Sequence, residues 1–307
     1  MWENYYGESA DKIFKEAREE LSRSGGKTLI FESNSPEIII TAAVSGEMRG
    51  NYPHVGITAR HGFSASFAFT DTGYDSLKWY NIDCYNSENG RCSFKILMQN
   101  YSVTDVKKRS YLLCVYFPVL SCVSEMNIGI KKGCLIKADS RMENSGKIVM
   151  LGSKNTFGIG VTSSAFIQSN ILLRRLGREV FNLGLTFFNI YDECMLPLVH
   201  ALKPQTVILE ADPPRSDKKI TKEKLPVYLK ELSRYNVIAA MNPNSFDAGI
   251  YEILRGGLKE NSVLLKSSDI FTDEELPKAQ YNSNFFNDAG NALMALKLIS
   301  TINENGL

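Results

Sequence analysis

The chain has 307 residues, with Lys plus Arg at 35 and Asp plus Glu at 34, for a net charge of +1. That balance excludes the basic excess of a protein built to bind nucleic acid or an anionic membrane. With 44% hydrophobic against 22% charged residues, the composition is globular, and at about 150 residues per domain the length predicts two domains.

Taken in chain order, the first segment with a pattern is an amphipathic helix expected over residues 10–22. The polar, acidic start from Met1 to Glu8 lacks the basic region and apolar stretch of a secretory signal. The longest apolar runs, Ile38-Ile39-Ile40 and 111–117, are too short to span a bilayer. A cytoplasmic protein with no membrane and no nucleic-acid partner is therefore expected. Strands are predicted at 29–32, 38–41, 64–69, 92–97, 111–117 and 126–130, with the turn cluster Ser33-Asn34-Ser35-Pro36 between the first two. Short strands with frequent turns and no long helical pattern predict a β-sandwich of the jelly-roll kind over residues 1–140.

None of the six cysteines forms a C-x-x-C pair, so no metal site and no cofactor is expected. Cys114 and Cys122 lie in strand-like text and read as buried thiols. Cys84 and Cys92 flank a polar loop and can meet across a hairpin, although free thiols are the favoured reading in a cytoplasmic chain.

The text turns polar at 138–146, and the domain boundary is placed there. From 146 to 307, apolar strands at 148–151, 180–183, 206–210, 237–240 and 262–265 alternate with helices near 164–176, 190–201, 221–235, 247–255 and 288–303. Thr221 is expected to cap the third of these helices. The alternation predicts a flavodoxin-like α/β domain: a parallel five-stranded sheet with helices on both faces, joined by right-handed crossovers. In such a sheet a site forms beyond the carboxyl ends of the strands. Those ends are Gly152-Ser153-Lys154, Gly184-Leu185-Thr186 and Ala211-Asp212-Pro213.

The segment 149–158, with Gly152-Ser153-Lys154-Asn155-Thr156-Phe157-Gly158 at its centre, resembles the first block of the SGNH/GDSL-type esterases. One branch of that family writes the block as Gly-Thr-Ser-Ile-Thr-Gln-Gly. The likeness continues through 171–184 (helix, turn and second strand), through Val207-Ile208-Leu209-Glu210, and through Phe285-Phe286-Asn287-Asp288-Ala289-Gly290. Phe31-Glu32-Ser33-Asn34-Ser35-Pro36 and Asn51-Tyr52-Pro53-His54 are similar to the N-terminal sandwich of the same branch. The resemblance covers most of the chain and implies an acylhydrolase in which a serine attacks an ester carbonyl, backed by a histidine, an aspartate and an oxyanion hole.

The positions that carry this chemistry are altered. The register places Lys154 at the nucleophile, with Ser153 one residue early. It places Phe187 at the second block's glycine and Pro214 at the third block's asparagine, where proline offers no donor. Asn282 and Phe285 stand where the family keeps aspartate and histidine.

The residues say the same without the family. A Ser–His mechanism needs an imidazole, and the three histidines are His54 and His61 in the sandwich half and His200 within a later helix. Lys154 has two readings: a desolvated nucleophile or anion-binding charge, or a side chain that fills space and meets Glu210 or Asp212. Glu210, Asp212 and Arg215 read as a solvated rim with a local ion pair. Phe187, Phe188 and Phe285 either line an apolar ligand pocket or plug a vacated cleft, and the plug is favoured. Asp192 reads as a helix-start residue. The sequence thus points to an SGNH/GDSL-like pseudoenzyme that binds a small-molecule or carbohydrate-like ligand, or a protein partner, in a pocket of Ser153, Lys154, Gly184, Phe187, Asp212, Pro214, Asn282 and Phe285. The alternative is an esterase or acyltransferase acting on O-acyl or acetylated carbohydrate substrates, with its chemistry moved to Ser153, Thr156 or Lys154.

Overall fold

A computed structural model describes residues 25–46, 52, 55–70, 77–101, 109–142, 145–186, 190–191, 195–212, 217–241, 243–244, 246–281 and 285–307. The helix expected at 10–22 lies outside the described residues, as do His54, Phe187, Phe188, Asp192, Pro214, Arg215 and Asn282.

The N-terminal half is a sandwich of two antiparallel sheets. Its elements are β1 (Thr28–Ser33), β2 (Glu37–Ser45), α1 (Ile57–His61), β3 (Phe63–Phe69), β4 (Tyr80–Tyr85), β5 (Arg91–Leu97), β6 (Tyr111–Tyr116), β7 (Cys122–Ile130) and β8 (Ile136–Ala138). One sheet runs β4-β3-β6-β1-β8 and the other β5-β2-β7. β2 shows the alternation of a half-buried strand, with Ile38, Ile40, Ala42 and Val44 inward and Ile39 outward. β6 has no alternation because all six residues are buried. Tyr111, Leu113 and Val115 pack into the sandwich, while Cys114 and Tyr116 pack against Ala165 and Leu173 of the second half.

Two strands escaped the sequence reading. β4 carries Asn81 and Asp83 and pairs with β3 through an irregular register. β8 is a three-residue edge strand with every residue exposed, and Lys137 on it pairs with Glu32 at 3.1 Å. Cys84 and Cys92 do not face each other across one hairpin: they lie on strands of different sheets, and no disulfide joins them. Burial pushes the Cys92 thiol up to about 11.

The C-terminal half is built from β9 (Ile148–Gly152), α2 (Lys154–Phe157), α3 (Gln168–Leu176), β10 (Val180–Gly184), α4 (Met195–Leu202), β11 (Thr206–Glu210), α5 (Lys218–Leu232), β12 (Asn236–Ala240), α6 (Ala248–Gly257), β13 (Ser262–Leu265) and α7 (Asp288–Asn305). The five strands form one parallel sheet in the order β10-β9-β11-β12-β13, the flavodoxin-like order. Met195, Leu225, Leu229, Ile250 and Leu254 of α4, α5 and α6 cover one face. Leu172 of α3 and Met294, Leu298 and Ile302 of α7 cover the other.

α5 starts three residues before the expected position. Asp217 caps it, accepting from the Lys219 and Ile220 amides, and Thr221 is buried inside the first turn. Asp217 carries the better acceptor and comes earlier in the chain, so the helix begins there. α4 starts later than expected, at Met195, because the buried Ile190 and Tyr191 belong to the preceding turn.

The two halves share polar contacts and a core. The Thr28 hydroxyl donates to Asn170 Oδ1 at 2.6 Å, Ser163 donates to Ser64 Oγ at 2.9 Å, and Arg174 Nη1 donates to Tyr116 Oη at 2.7 Å. Tyr52, Val55, Val119 and Leu120 of the sandwich join Phe157, Ile159, Val161, Ile167 and Phe285 in one buried cluster.

Candidate functional site

β9 ends at Gly152, and the chain turns at Ser153, which caps α2 in an extended conformation (φ −99°, ψ −150°). The turn is tight enough to require glycine before it. A Cβ at Gly152 would lie 2.6 Å from Glu210 Oε2 and would overlap Thr156 Oγ1. Gly184, at the end of the neighbouring β10, is also excluded from carrying a side chain, because the backbone of Thr156 and Phe157 occupies that space.

Glu210 ends β11 and organises the turn. Its Oε2 accepts from the Ser153 amide at 2.7 Å and from the Thr156 hydroxyl at 3.0 Å. The Ser153 hydroxyl lies 3.0 Å from both carboxylate oxygens and donates to them. Burial pushes the Glu210 carboxyl above the usual carboxylate range, and the donors from Ser153, Thr156 and Asn155 oppose that shift. Asn155, Thr156, Gln168 and Glu210 also line a cavity of about 20 Å³ against Ile208, Phe286 and Met294, room for a single water.

A folded-state pKa above the unfolded value means that folding favours the protonated acid. That contribution is full below the unfolded pKa and is lost as pH rises through the folded pKa. Glu210→Gln keeps the shape and removes the charge. The Tm difference between Glu210→Gln and the unaltered chain should therefore grow in favour of the glutamine from about pH 4 to about pH 8. A thermal-melt series in which that difference shrinks with rising pH would contradict the assignment.

The other site residues are distributed as follows. Lys154 is half-buried, with its ammonium 5.9 Å from the centre of the Phe285 ring. Phe285 is 8% exposed and packs with Phe157, Ile159, Val161 and Ile167. The Phe286 amide donates to Asn155 Oδ1 at 2.9 Å, which ties this segment to α2. Asp212 corrects the expectation of a solvated rim: its carboxylate is fully buried and paired with Lys218. The early start of α5 brings Lys218 over it, so Glu210 and Asp212 face different partners. Next to it, the Tyr191 hydroxyl donates to the Ala211 carbonyl at 2.6 Å.

Two of the three histidines are described, and each is engaged elsewhere. His200 Nδ1 lies 2.8 Å from the Tyr235 hydroxyl on the α4–α5 side. His61 Nδ1 lies 3.1 Å from Ser121 Oγ in the sandwich half. The Ser121 hydroxyl donates its one proton to the Arg60 carbonyl at 3.0 Å, so the imidazole N–H is the donor to Ser121 and is no base for it.

Sequence reasoning missed the joint role of Glu210, Asn155 and Gln168. A signal was present: a carboxylate closing the buried strand Thr206–Glu210 needs donors, and Ser153 and Thr156 are spaced to supply them from one turn.

A family profile described as the GxDLY N-terminus of SGNH hydrolase-type esterases matches residues 7–136. No curated protein sequence matches the chain. Among solved structures, a Bacteroides ovatus protein described as a GDSL-like lipase superposes with a TM-score of 0.73 at 18% identity, covering 95% of this chain and 90% of the other. The salicylyl-acyltransferase SsfX3 of a tetracycline biosynthetic pathway gives 0.63 at 12% identity, covering 95% and 86%. A family two carbohydrate esterase from Clostridium thermocellum, solved in complex with cellohexaose, gives 0.60 at 14% identity, covering 92% and 94%. At these identities the structural likeness speaks for fold.

Proposed function

We propose that the chain, whose residues 7–136 match the N-terminal module of SGNH hydrolase-type esterases and whose fold resembles theirs, binds a ligand at the crevice beyond the strand ends without hydrolysing it. We take residues 1–140 and 146–307 as its two domains. The ligand is a small molecule of acylated or carbohydrate-like character, or a partner protein that presents one. The esterase solved with cellohexaose supports that ligand class. A cytoplasmic setting belongs to the same reading.

The observation that carries the reading is Phe285. A Ser–His relay needs a ring nitrogen at that position, and an apolar ring buried among Phe157, Ile159, Val161 and Ile167 can neither take nor return a proton. The Ser153 hydroxyl at the end of β9 is held by the Glu210 carboxylate instead of an imidazole.

That same contact favours a second reading, an esterase or acyltransferase in which Glu210 serves as base to Ser153. The two readings separate in a turnover assay on short p-nitrophenyl esters and acetylated sugars. The binding reading predicts rates equal to buffer, unchanged by Ser153→Ala or Lys154→Ala. Turnover that vanishes in Ser153→Ala would establish the enzyme.

A further inference from the structure

The loop between β12 and α6 leaves the crevice at Met241 and Pro243, which line the cavity beside Glu210, and reaches the surface at Phe246. The Phe246 ring is 67% exposed. It stands 5.6 Å from the Tyr251 ring at an interplanar angle of 46°, so the two rings make a shallow, open angle. The Lys266 ammonium lies 5.0 Å from the centre of the Tyr251 ring.

The charges around this platform are unequally satisfied. Asp247 accepts from the Ile250 amide at 3.0 Å and pairs with Lys222 at 3.0 Å. Asp269 accepts from the Lys266 backbone amide at 2.7 Å. Among the described residues, the Lys266 ammonium pairs with no carboxylate, and its contact is the Tyr251 ring. An exposed phenyl face beside an unpaired ammonium suits a ligand with an apolar ring face and a negative group one side chain away. A neutral sugar would satisfy the ring and leave the ammonium in water.

We propose that Phe246, Tyr251 and Lys266 form a binding site at the rim of the crevice for a ring-bearing carboxylate, either an aryl carboxylate or a sugar acid. The ring stacks on Phe246 and the carboxylate meets Lys266. The proposal rests on the crevice being a ligand site, and it narrows the class of ligand.

The test is calorimetric titration of the full chain with benzoate, glucuronate and their neutral counterparts, benzyl alcohol and glucose. Variants Phe246→Ala and Lys266→Gln alter exposed side chains, and an unchanged Tm shows that they are folded. The expected result is that at least one carboxylate binds more tightly than its neutral counterpart. Phe246→Ala should weaken that binding about tenfold, and Lys266→Gln should remove the preference for the charge. Benzoate alone, glucuronate alone or both would support the site and identify its source of ligand. Absence of binding by both carboxylates would overturn it. Binding that survives both variants but is lost in Lys154→Ala would also overturn it, while leaving the crevice reading intact.

Discussion

Phe285→Ala should lower the unfolding free energy by about 3–5 kcal/mol, the range for removing a buried aromatic ring. In a chain of this length that corresponds to a fall of roughly 10 °C in Tm. The ring is 8% exposed and belongs to a buried cluster drawn from both halves, with Tyr52, Val55, Val119 and Leu120 from one and Phe157, Ile159 and Ile167 from the other. Truncation therefore opens a cavity at the junction of the two halves. Neighbours drawn from both halves cannot collapse into it without moving both. Had the ring lined an open ligand pocket, its loss would cost well under about 1 kcal/mol and would change ligand affinity instead. Thermal melts of Phe285→Ala and Phe285→Leu decide between the two: the plug predicts a large loss for alanine and a smaller one for leucine.

Gly184→Ala should cost about 3 kcal/mol, at the upper end of overpacking effects. A Cβ at Gly184 would lie 2.7 Å from the Cα of Phe157 and 2.9 Å from the carbonyl carbon of Thr156. Those are backbone atoms of α2, fixed by the amide of Phe157 donating to the Ser153 carbonyl at 2.9 Å and by the Glu210 contacts. Relief requires moving α2 away from β10, which disturbs the Ser153–Glu210 contact. Gly256, inside α6, is the control. A Cβ there meets nothing within 4 Å, so Gly256→Ala should leave stability unchanged or raise it by up to about 1 kcal/mol through helix propensity. Chemical denaturation of the two variants gives the comparison directly. Equal losses would show that the glycine at β10 is not held by contact with α2.

The parallel sheet was legible in the sequence because each of its strands is a short apolar run closed by a turn. The alternation with helix-length segments admits few other topologies. The sandwich was legible in part. β2 announces itself by alternation, whereas β6 reads as a strand only through its length and its β-branched and aromatic residues. Its second face is hidden by the other half of the chain, a tertiary fact with no local signature. β8 was missed because an edge strand is kept short and charged by the need to avoid further pairing.

At the site, residue identity showed that Phe285 carries no ring nitrogen and left Lys154 with two readings. It did not show where Asp212 goes. The carboxylate sits beyond a strand end, where loops are usually wet, and its burial depends on α5 starting early enough to deliver Lys218. Glu210 had the same ambiguity. Two acidic residues separated by Ala211 looked like one rim, and the fold gives them separate roles: one holds the turn after β9, the other closes the start of α5.

The most direct test of the central claim is treatment of the purified full chain with a fluorophosphonate probe, followed by mass spectrometry of its peptides. The probe reacts with a hydroxyl only where a base and an oxyanion site have activated it. On the proposed non-hydrolytic reading, no serine or threonine should be modified above the level seen in heat-unfolded protein. Stoichiometric labelling of Ser153 or Thr156 in the folded chain would contradict that account.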